Sequence, residues 1–211
     1  ERLGATQVVT PGSSNSCVAQ KPCFDTVLQT RIGSPYVIAG MEEAAQSAEA
    51  RVAGYEANGG FLLGFAASRN GATLSPLATR DSFLPILAPL VAAAEAGQPL
   101  SSLAAAEAHV HTAANRLTDT PQEKSAAFVS DLTASEEVRA ALLTDCGLGT
   151  ETKLDLTDGV RITETSGAVI HIRPSGNAPE LRVYVEAPTR EGAGETLETA
   201  LRVVADRIAA L

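Results

Sequence analysis

Toward the C-terminal end of the chain, polar and apolar positions alternate with a period of two. Val160 and Ile162, then Ala168, Ile170 and Ile172, then Leu181, Val183 and Val185 place apolar side chains on one side of an extended backbone. Lys153 to Leu156 is a further strand-like run. The breaks between runs are Asp158-Gly159, Ser166-Gly167 and the segment Arg173 to Arg182, all of turn composition. The pattern predicts a four-stranded antiparallel sheet with one buried face. After Pro188 the period lengthens: Leu197, Leu201, Val204, Ile208 and Leu211 form one helical stripe, and this helix is expected to cover the sheet.

The first half is more mixed. Gln7 to Thr10 reads as a short strand running into a Pro-Gly-Ser-Ser-Asn turn, after which Asn15 or Ser16 caps a helix. Thr30 to Ile38 predicts a turn and a strand, and the alanine and glutamate content of Met41 to Ala50 predicts a helix. Arg51 to Leu63 reads as strand, glycine-rich loop, strand. Leu77 to Ser82 leads into an apolar helix, Phe83 to Ala96, capped by Asp81 or Ser82 and kinked at Pro89, and Ser101 to Ala108 adds a short helix. Pro121 to Asp131 and Ser135 to Thr144 are helical, the second with Ser135 as N-cap and Glu136-Glu137 in its first turn. The polar stretch from Ala108 to Asp119 is the expected junction. The organisation is therefore α/β plus α+β: a mixed α/β domain, residues 1–112, then a small domain, residues 113–211, whose antiparallel sheet is covered by helices.

Composition narrows the partners. With 16 Lys and Arg against 25 Asp and Glu, the net charge of −9 works against nucleic-acid binding, which needs clustered cations. No apolar run approaches ~18 residues, so no membrane span is expected. The opening Glu1-Arg2-Leu3-Gly4 has no signal-peptide character, and a chain that begins on glutamate is expected to be cut from a longer one or processed. Cys17, Cys23 and Cys146 lack a C-x-x-C spacing and read as reduced core thiols of a cytoplasmic protein. His109 and His111 form an H-x-H pair with only Glu107 nearby, too few ligands for a metal assignment.

Two loops carry candidate chemistry. Arg173-Pro174-Ser175-Gly176-Asn177-Ala178-Pro179-Glu180-Leu181-Arg182 holds two guanidiniums, a hydroxyl, a carboxamide and a glycine whose N–H a ligand can approach. Those are the groups that cradle a phosphate monoester, although an ordinary turn with solvated arginines has the same composition. Strand pairing would bring Arg173 and Arg182 onto one end of the sheet. In Gly54 to Gly60, Glu56 and Asn58 are two residues apart, so on an extended backbone they point to the same side. A carboxylate beside a carboxamide suits vicinal sugar hydroxyls, while a glycine-rich turn with one glutamate is also commonplace.

The first loop resembles R-P-S-G-[TN]-x-P-x-x-R, the phosphate-binding loop in the last domain of the α-D-phosphohexomutases. Gly54-Tyr55-Glu56-Ala57-Asn58-Gly59 resembles that family's sugar-recognition loop, G-x-E-x-[SN]-G. Val8-Val9-Thr10-Pro11-Gly12-Ser13-Ser14-Asn15 resembles the "VVTPVSSN" strand and turn of its third domain, with glycine replacing valine. The resemblance runs the length of the chain in the family's order and implies the third and fourth domains of a phosphomannomutase or phosphoglucomutase. Such an enzyme moves a phosphoryl group between the C1 and C6 oxygens of a hexose through a phosphoserine. By that resemblance Arg173, Ser175, Gly176, Asn177 and Arg182 hold the phosphate that is not reacting, and Glu56 and Asn58 grip the ring hydroxyls. Arg31 and Ser34 fall in a cleft loop that touches substrate, a surface arginine before a turn being the equal alternative. The serine loop and the D-G-D-G-D loop that holds Mg²⁺ lie upstream in the family and have no counterpart here. The resemblance thus implies no catalytic residue and no metal in this chain, with Mg²⁺ bound by the full-length enzyme, and a fragment inactive without its N-terminal domains. The expected substrate is mannose or glucose 1- or 6-phosphate; glucosamine phosphate, or a non-catalytic sugar-phosphate binding module, are the alternatives.

Overall fold

In the computed structural model, which describes residues 1–47, 49–107 and 109–211, the chain divides into two compact units, Glu1–His109 and Val110–Leu211. The first contains β1 (Gln7–Pro11), β2 (Thr26–Thr30), α1 (Ser34–Ala44), β3 (Val52–Tyr55), β4 (Phe61–Leu63), β5 (Ala67–Arg69), β6 (Ala72–Leu74), β7 (Leu77–Asp81), α2 (Phe83–Ala96) and α3 (Leu100–Glu107). Its main sheet has the order β2-β1-β3-β4-β7. β1 pairs in parallel with β2 and β3, whereas β3–β4 and β4–β7 are antiparallel. Asn15 caps the 3-10 turn Ser16–Gln20, its side chain accepting from Cys17 N at 2.7 Å.

The largest departure from the sequence reading is α1. Tyr36, Val37 and Ile38 are helical rather than extended. Pro35 sits in the first turn, where its missing N–H costs nothing, and Val37, Gly40 and Met41 are buried at the i, i+3, i+4 spacing of one helical face. A Cβ on Gly40 would lie 3.0 Å from Val9 Cγ1, so glycine sets how closely the helix approaches β1. Val9, Val37, Met41, Val52 and Leu62 form the core of this unit.

The helix α2 begins as expected on Asp81, whose Oδ1 accepts from Phe83 N at 2.8 Å and Leu84 N at 3.3 Å, and it runs on through Pro89. It buries Ala92 and Ala93 but leaves Phe83, Ile86, Leu87, Leu90 and Val91 exposed. Among the described residues no single helix is long and apolar enough to cross a membrane.

The second unit contains β8 (His111–Leu117), α4 (Gln122–Ala134), α5 (Glu136–Asp145), β9 (Glu151–Asp155), β10 (Val160–Glu164), β11 (Val169–Pro174), β12 (Leu181–Ala187) and α6 (Arg190–Ala209). Its antiparallel sheet has five strands, β8-β12-β11-β10-β9, not four. The added edge strand β8 lies in the polar stretch expected as the junction; only Ala113 and Leu117 of it pack on the core, and what makes it a strand is backbone pairing with β12. The alternating apolar sets form the buried face against Phe128 and Leu132 of α4, Leu142 and Leu143 of α5, and Leu197, Ala200, Val204 and Ile208 of α6. Leu211 lies beyond the helix and is exposed. Arg139 ties α5 to β9 through Glu151 at 2.6 and 3.2 Å. Of the three free thiols only Cys146 belongs to a core, where burial pushes its pKa up to about 11; Cys17 and Cys23 are half-buried.

Candidate functional site

Between β3 and β4 the chain makes a tight turn. Glu56 N donates to Gly60 O at 2.8 Å and Gly59 N to Glu56 O at 3.0 Å, with Gly59 at a φ of 90° that favours glycine. Glu56 and Asn58 therefore meet through a turn, not along an extended strand. Asn58 Nδ2 donates to Glu56 Oε2 at 3.2 Å, while Asn58 Oδ1 accepts from Gly60 N at 3.0 Å. Ser34 Oγ, in the first turn of α1, donates to Glu56 Oε1 through a short hydrogen bond. The Glu56 carboxylate is buried to 7% exposure and fixed by one donor on each oxygen, leaving further lone pairs for hydroxyl donors.

The structure thus gathers Ser34, Glu56 and Asn58. Arg31 is not drawn in: it is exposed, its guanidinium 5.7 Å from the centroid of the Tyr36 ring. Thr10 Oγ1 lies 2.7 Å from Ser14 Oγ and 3.0 Å from Tyr55 O, which ties the turn after β1 to the base of the Glu56 loop. Arg80 of β7 lies beside the same loop. Its stem packs so closely on Gly60 that a Cβ there would sit 2.7 Å from Arg80 Cδ.

In the second unit the β11–β12 connection is closed by Ser175 N donating to Glu180 O at 2.8 Å, and Asn177 N points to Ser175 Oγ at 3.4 Å. Ser175 is buried while Gly176 and Asn177 are exposed. A Cβ at Gly176 would meet no atom within 4 Å, so packing within this chain does not require glycine there. What glycine leaves is an unobstructed backbone N–H.

Arg173 pairs with Arg182 across the strands, as alternation implied, and Arg182 pairs in turn with Arg116 of β8. Three guanidiniums therefore leave one end of the sheet side by side, the third on an edge strand that no apolar alternation marks. Like charges directly opposite one another repel, and each needs a counterion. Arg173 Nε lies 3.1 Å from Asp158 Oδ2, an ion pair without the alignment of a hydrogen bond. Glu180 bridges the other two, with Oε1 3.2 Å from Arg116 Nε and Oε2 3.5 Å from Arg182 Nη2. Gly159, at φ 84°, lets the Asp158 turn reach Arg173: a Cβ there would sit 2.4 Å from Ile172 O and 2.7 Å from Arg173 Cβ. Three guanidiniums against two carboxylates leave this end of the sheet positive in a chain of net charge −9.

One pleat further along, His171 stacks on Tyr184 with centroids 5.3 Å apart, its Nε2 2.6 Å from Asp158 O and its Nδ1 without a partner among the described residues. Burial, with Arg161 and Arg173 nearby, holds His171 below the ordinary histidine pKa; the Asp158 carbonyl opposes this. Among the described residues no group of three or more His, Cys, Asp or Glu is placed to hold a metal ion. His111 opens β8, and His109 lies in the bend before it.

These two loops belong to a known pair of domains. The alpha/beta/alpha domain III of phosphoglucomutase/phosphomannomutase matches residues 2–111, and the C-terminal domain of the same proteins matches residues 116–203. The chain belongs to the phosphoglucomutase/phosphomannomutase family, the α-D-phosphohexomutases, and corresponds to its C-terminal half. A phosphomannomutase of Sinorhizobium fredii is 43% identical over 202 residues, which cover 96% of this chain and 42% of that protein. A phosphomannomutase of Salmonella muenchen is 38% identical over 209 residues, 98% of this chain and again 42% of the relative. The chain therefore spans well under half the length of these relatives. Among solved structures, a phosphoglucomutase/phosphomannomutase family protein of Burkholderia thailandensis superposes with a TM-score of 0.67 at 15% identity, over 99% of this chain and 39% of that one. An N-acetylphosphoglucosamine mutase of Aspergillus fumigatus, solved with GlcNAc-6P and magnesium, gives 0.55 at 14% identity over 95% of this chain and 41% of that one. At such identities the likeness shows the fold.

Proposed function

We propose that this chain is the substrate-positioning half of a hexose-phosphate mutase of the phosphomannomutase type, interconverting hexose 1- and 6-phosphates when joined to the serine and Mg²⁺ loops of the full-length protein. The observation that carries this is the pairing of Arg173 with Arg182 at the mouth of a loop whose glycine is open. Phosphoryl transfer is mostly positioning and charge stabilisation. In this reading Arg173, Arg182, Ser175 and the N–H groups of Gly176 and Asn177 hold the non-reacting phosphate. Ser34 fixes the Glu56 carboxylate, which with Asn58 takes the ring hydroxyls. In the full-length protein Mg²⁺, held by residues outside this chain, would supply charge neutralisation for phosphoryl transfer. Two phosphomannomutases at 43% and 38% identity support a mannose or glucose substrate over an N-acetylated one. The free thiols suit a reducing compartment, and we assign the cytoplasm.

Calorimetric titration of the full-length protein with mannose 6-phosphate tests the reading. Arg173→Ala is expected to cost about 1.5–3 kcal/mol of binding, the range of a charge-assisted contact. An unchanged affinity would place the phosphate elsewhere.

A further inference from the structure

We infer that Arg116, on edge strand β8, is a third guanidinium of the phosphate site, and that Glu180 is a built-in anion which Arg116 and Arg182 exchange for the phosphate of the substrate. The inference rests on the reading of the Arg173 loop given above and adds Arg116, which lies outside both motifs, and Glu180, which occupies an unspecified position of the first. Register sets the geometry: Arg116, Arg182 and Arg173 are directly opposed across adjacent strands, each step being about 4.8 Å. The loop is also pinned to the segment after β8, because Thr120 N donates to Pro179 O at 2.9 Å. Arg116 thus stands beside the loop exit and not on a remote edge.

Charge then decides which arginines are available. Arg173 is 12% exposed and faces its own carboxylate, Asp158. Arg116 and Arg182 share one carboxylate, so the excess positive charge of the row belongs to this pair. Their side chains are 56% and 37% exposed and border an open depression of about 240 Å³, lined also by Ala114, Asn115 and Tyr184. Arg182 Nε has no hydrogen-bond partner among the described residues, although the atom is buried. A carboxylate already seated between two guanidiniums shows that the pair accepts an anion, and guanidinium forks suit phosphate as well as carboxylate oxygens. A dianionic phosphate carries more charge than Glu180 and offers more acceptor oxygens, so it displaces the carboxylate when it reaches the loop.

Titrating the full-length protein with mannose 6-phosphate at low and high ionic strength separates the cases. Arg116→Ala is expected to raise Kd about fivefold at low salt and less at high salt, as an exposed charge does. Glu180→Gln removes the competing charge but keeps an acceptor for Arg182, and is expected to lower Kd about threefold. Opposite signs from two partners of one ion pair are not what a purely structural bridge would give. Arg116→Lys, which preserves strand character and charge, is expected to fall between wild type and Arg116→Ala and serves if the alanine variant does not fold. An Arg116→Ala affinity equal to wild type, or a Glu180→Gln loss, overturns the inference. Arg173→Ala, run alongside, distinguishes the two levels: if it has no effect the phosphate reading itself fails, whereas a loss with Arg173→Ala but none with Arg116→Ala removes only the present claim.

Discussion

The two loops stand on unequal foundations. The Glu56 loop belongs to a unit whose core is Val9, Val37, Met41, Val52 and Leu62, and whose helix α2 turns Phe83, Ile86, Leu87, Leu90 and Val91 to solvent. The Arg173 loop belongs to a unit in which three helices and a sheet enclose a continuous core from Phe128 to Ile208. Buried apolar area is the main source of folding free energy. A row of like charges is costly to hold together, and the molecule places it where the supporting sheet is best packed. The Glu56 loop depends instead on its own hydrogen bonds, with Glu56, Ser34, Asn58 and Gly60 fixing one another.

Core truncation breaks or sharpens this contrast with the largest effect. Leu181 and Leu62 are both fully buried, in β12 and β4. Leu181→Ala is expected to cost about 4 kcal/mol, near the upper part of the range for such changes, because helices on the far side cannot collapse into the space. Leu62→Ala, with fewer neighbours to lose, is expected to cost about 2 kcal/mol. Urea denaturation should also unfold the first unit at the lower concentration. Equal losses and a single shared transition would mean that the thin core is not the weaker one.

The same contrast governs what could be read from residues alone. Strands β10 to β12 and helix α6 are legible because one buried face imposes a strict period, and the positions of Arg173 at the end of one strand and Arg182 at the start of the next imply their pairing. Helix α1 is not, since Tyr36, Val37 and Ile38 are β-formers by propensity and only the packing of Val37, Gly40 and Met41 makes them helical. β5, β6 and β7 are short and largely exposed, and β2 is only half-buried, so no apolar alternation marks them. At the site, the spacing of Glu56 and Asn58 marks them as a pair, but the hydrogen bond from Ser34 to Glu56 joins residues 22 apart and exists only once α1 packs on the sheet. Arg116 is not legible because its relation to the loop is one of strand register, and the pairing of Asp158 and Glu180 with the arginines exists only after the sheet forms.

Two glycines sharpen the contrast between support and site at intermediate cost. Gly159, at positive φ and against the backbone of Ile172 and Arg173, supports the arginine row; Gly159→Ala is expected to destabilise by about 2 kcal/mol. Gly176 meets nothing within 4 Å, so Gly176→Ala is expected to change stability by less than about 0.5 kcal/mol. Its methyl would nevertheless stand beside the N–H offered to phosphate, and Kd for mannose 6-phosphate is expected to rise severalfold. Thermal melts and titrations of both variants check the pair. A Gly176→Ala protein that binds like wild type would show that this backbone is not approached by ligand.

The smallest effect is one of pH and belongs to the second unit. His171 is 2% exposed and its pKa is held down chiefly by burial, then by Arg161 and Arg173. The unfolded chain, with an ordinary histidine near 6.5, binds a proton more readily than the folded one. Stability contributed by the neutral ring is therefore complete above about pH 6.5 and lost as pH falls from there toward the folded-state value. The loss is limited to one proton, at most about 1.4 kcal/mol per pH unit. Carboxylates such as Glu164, whose pKa is lowered by hydrogen bonds from Ser166 and Ala168 although burial opposes this, release their own stabilisation only at more acidic pH. Denaturation midpoints followed from pH 7.5 to 5 isolate the histidine. His171→Phe, which keeps the stacking on Tyr184, is expected to flatten that profile in the transition of Val110–Leu211 and leave that of Glu1–His109 unchanged. A variant that retains the wild-type slope would move the titration to another group.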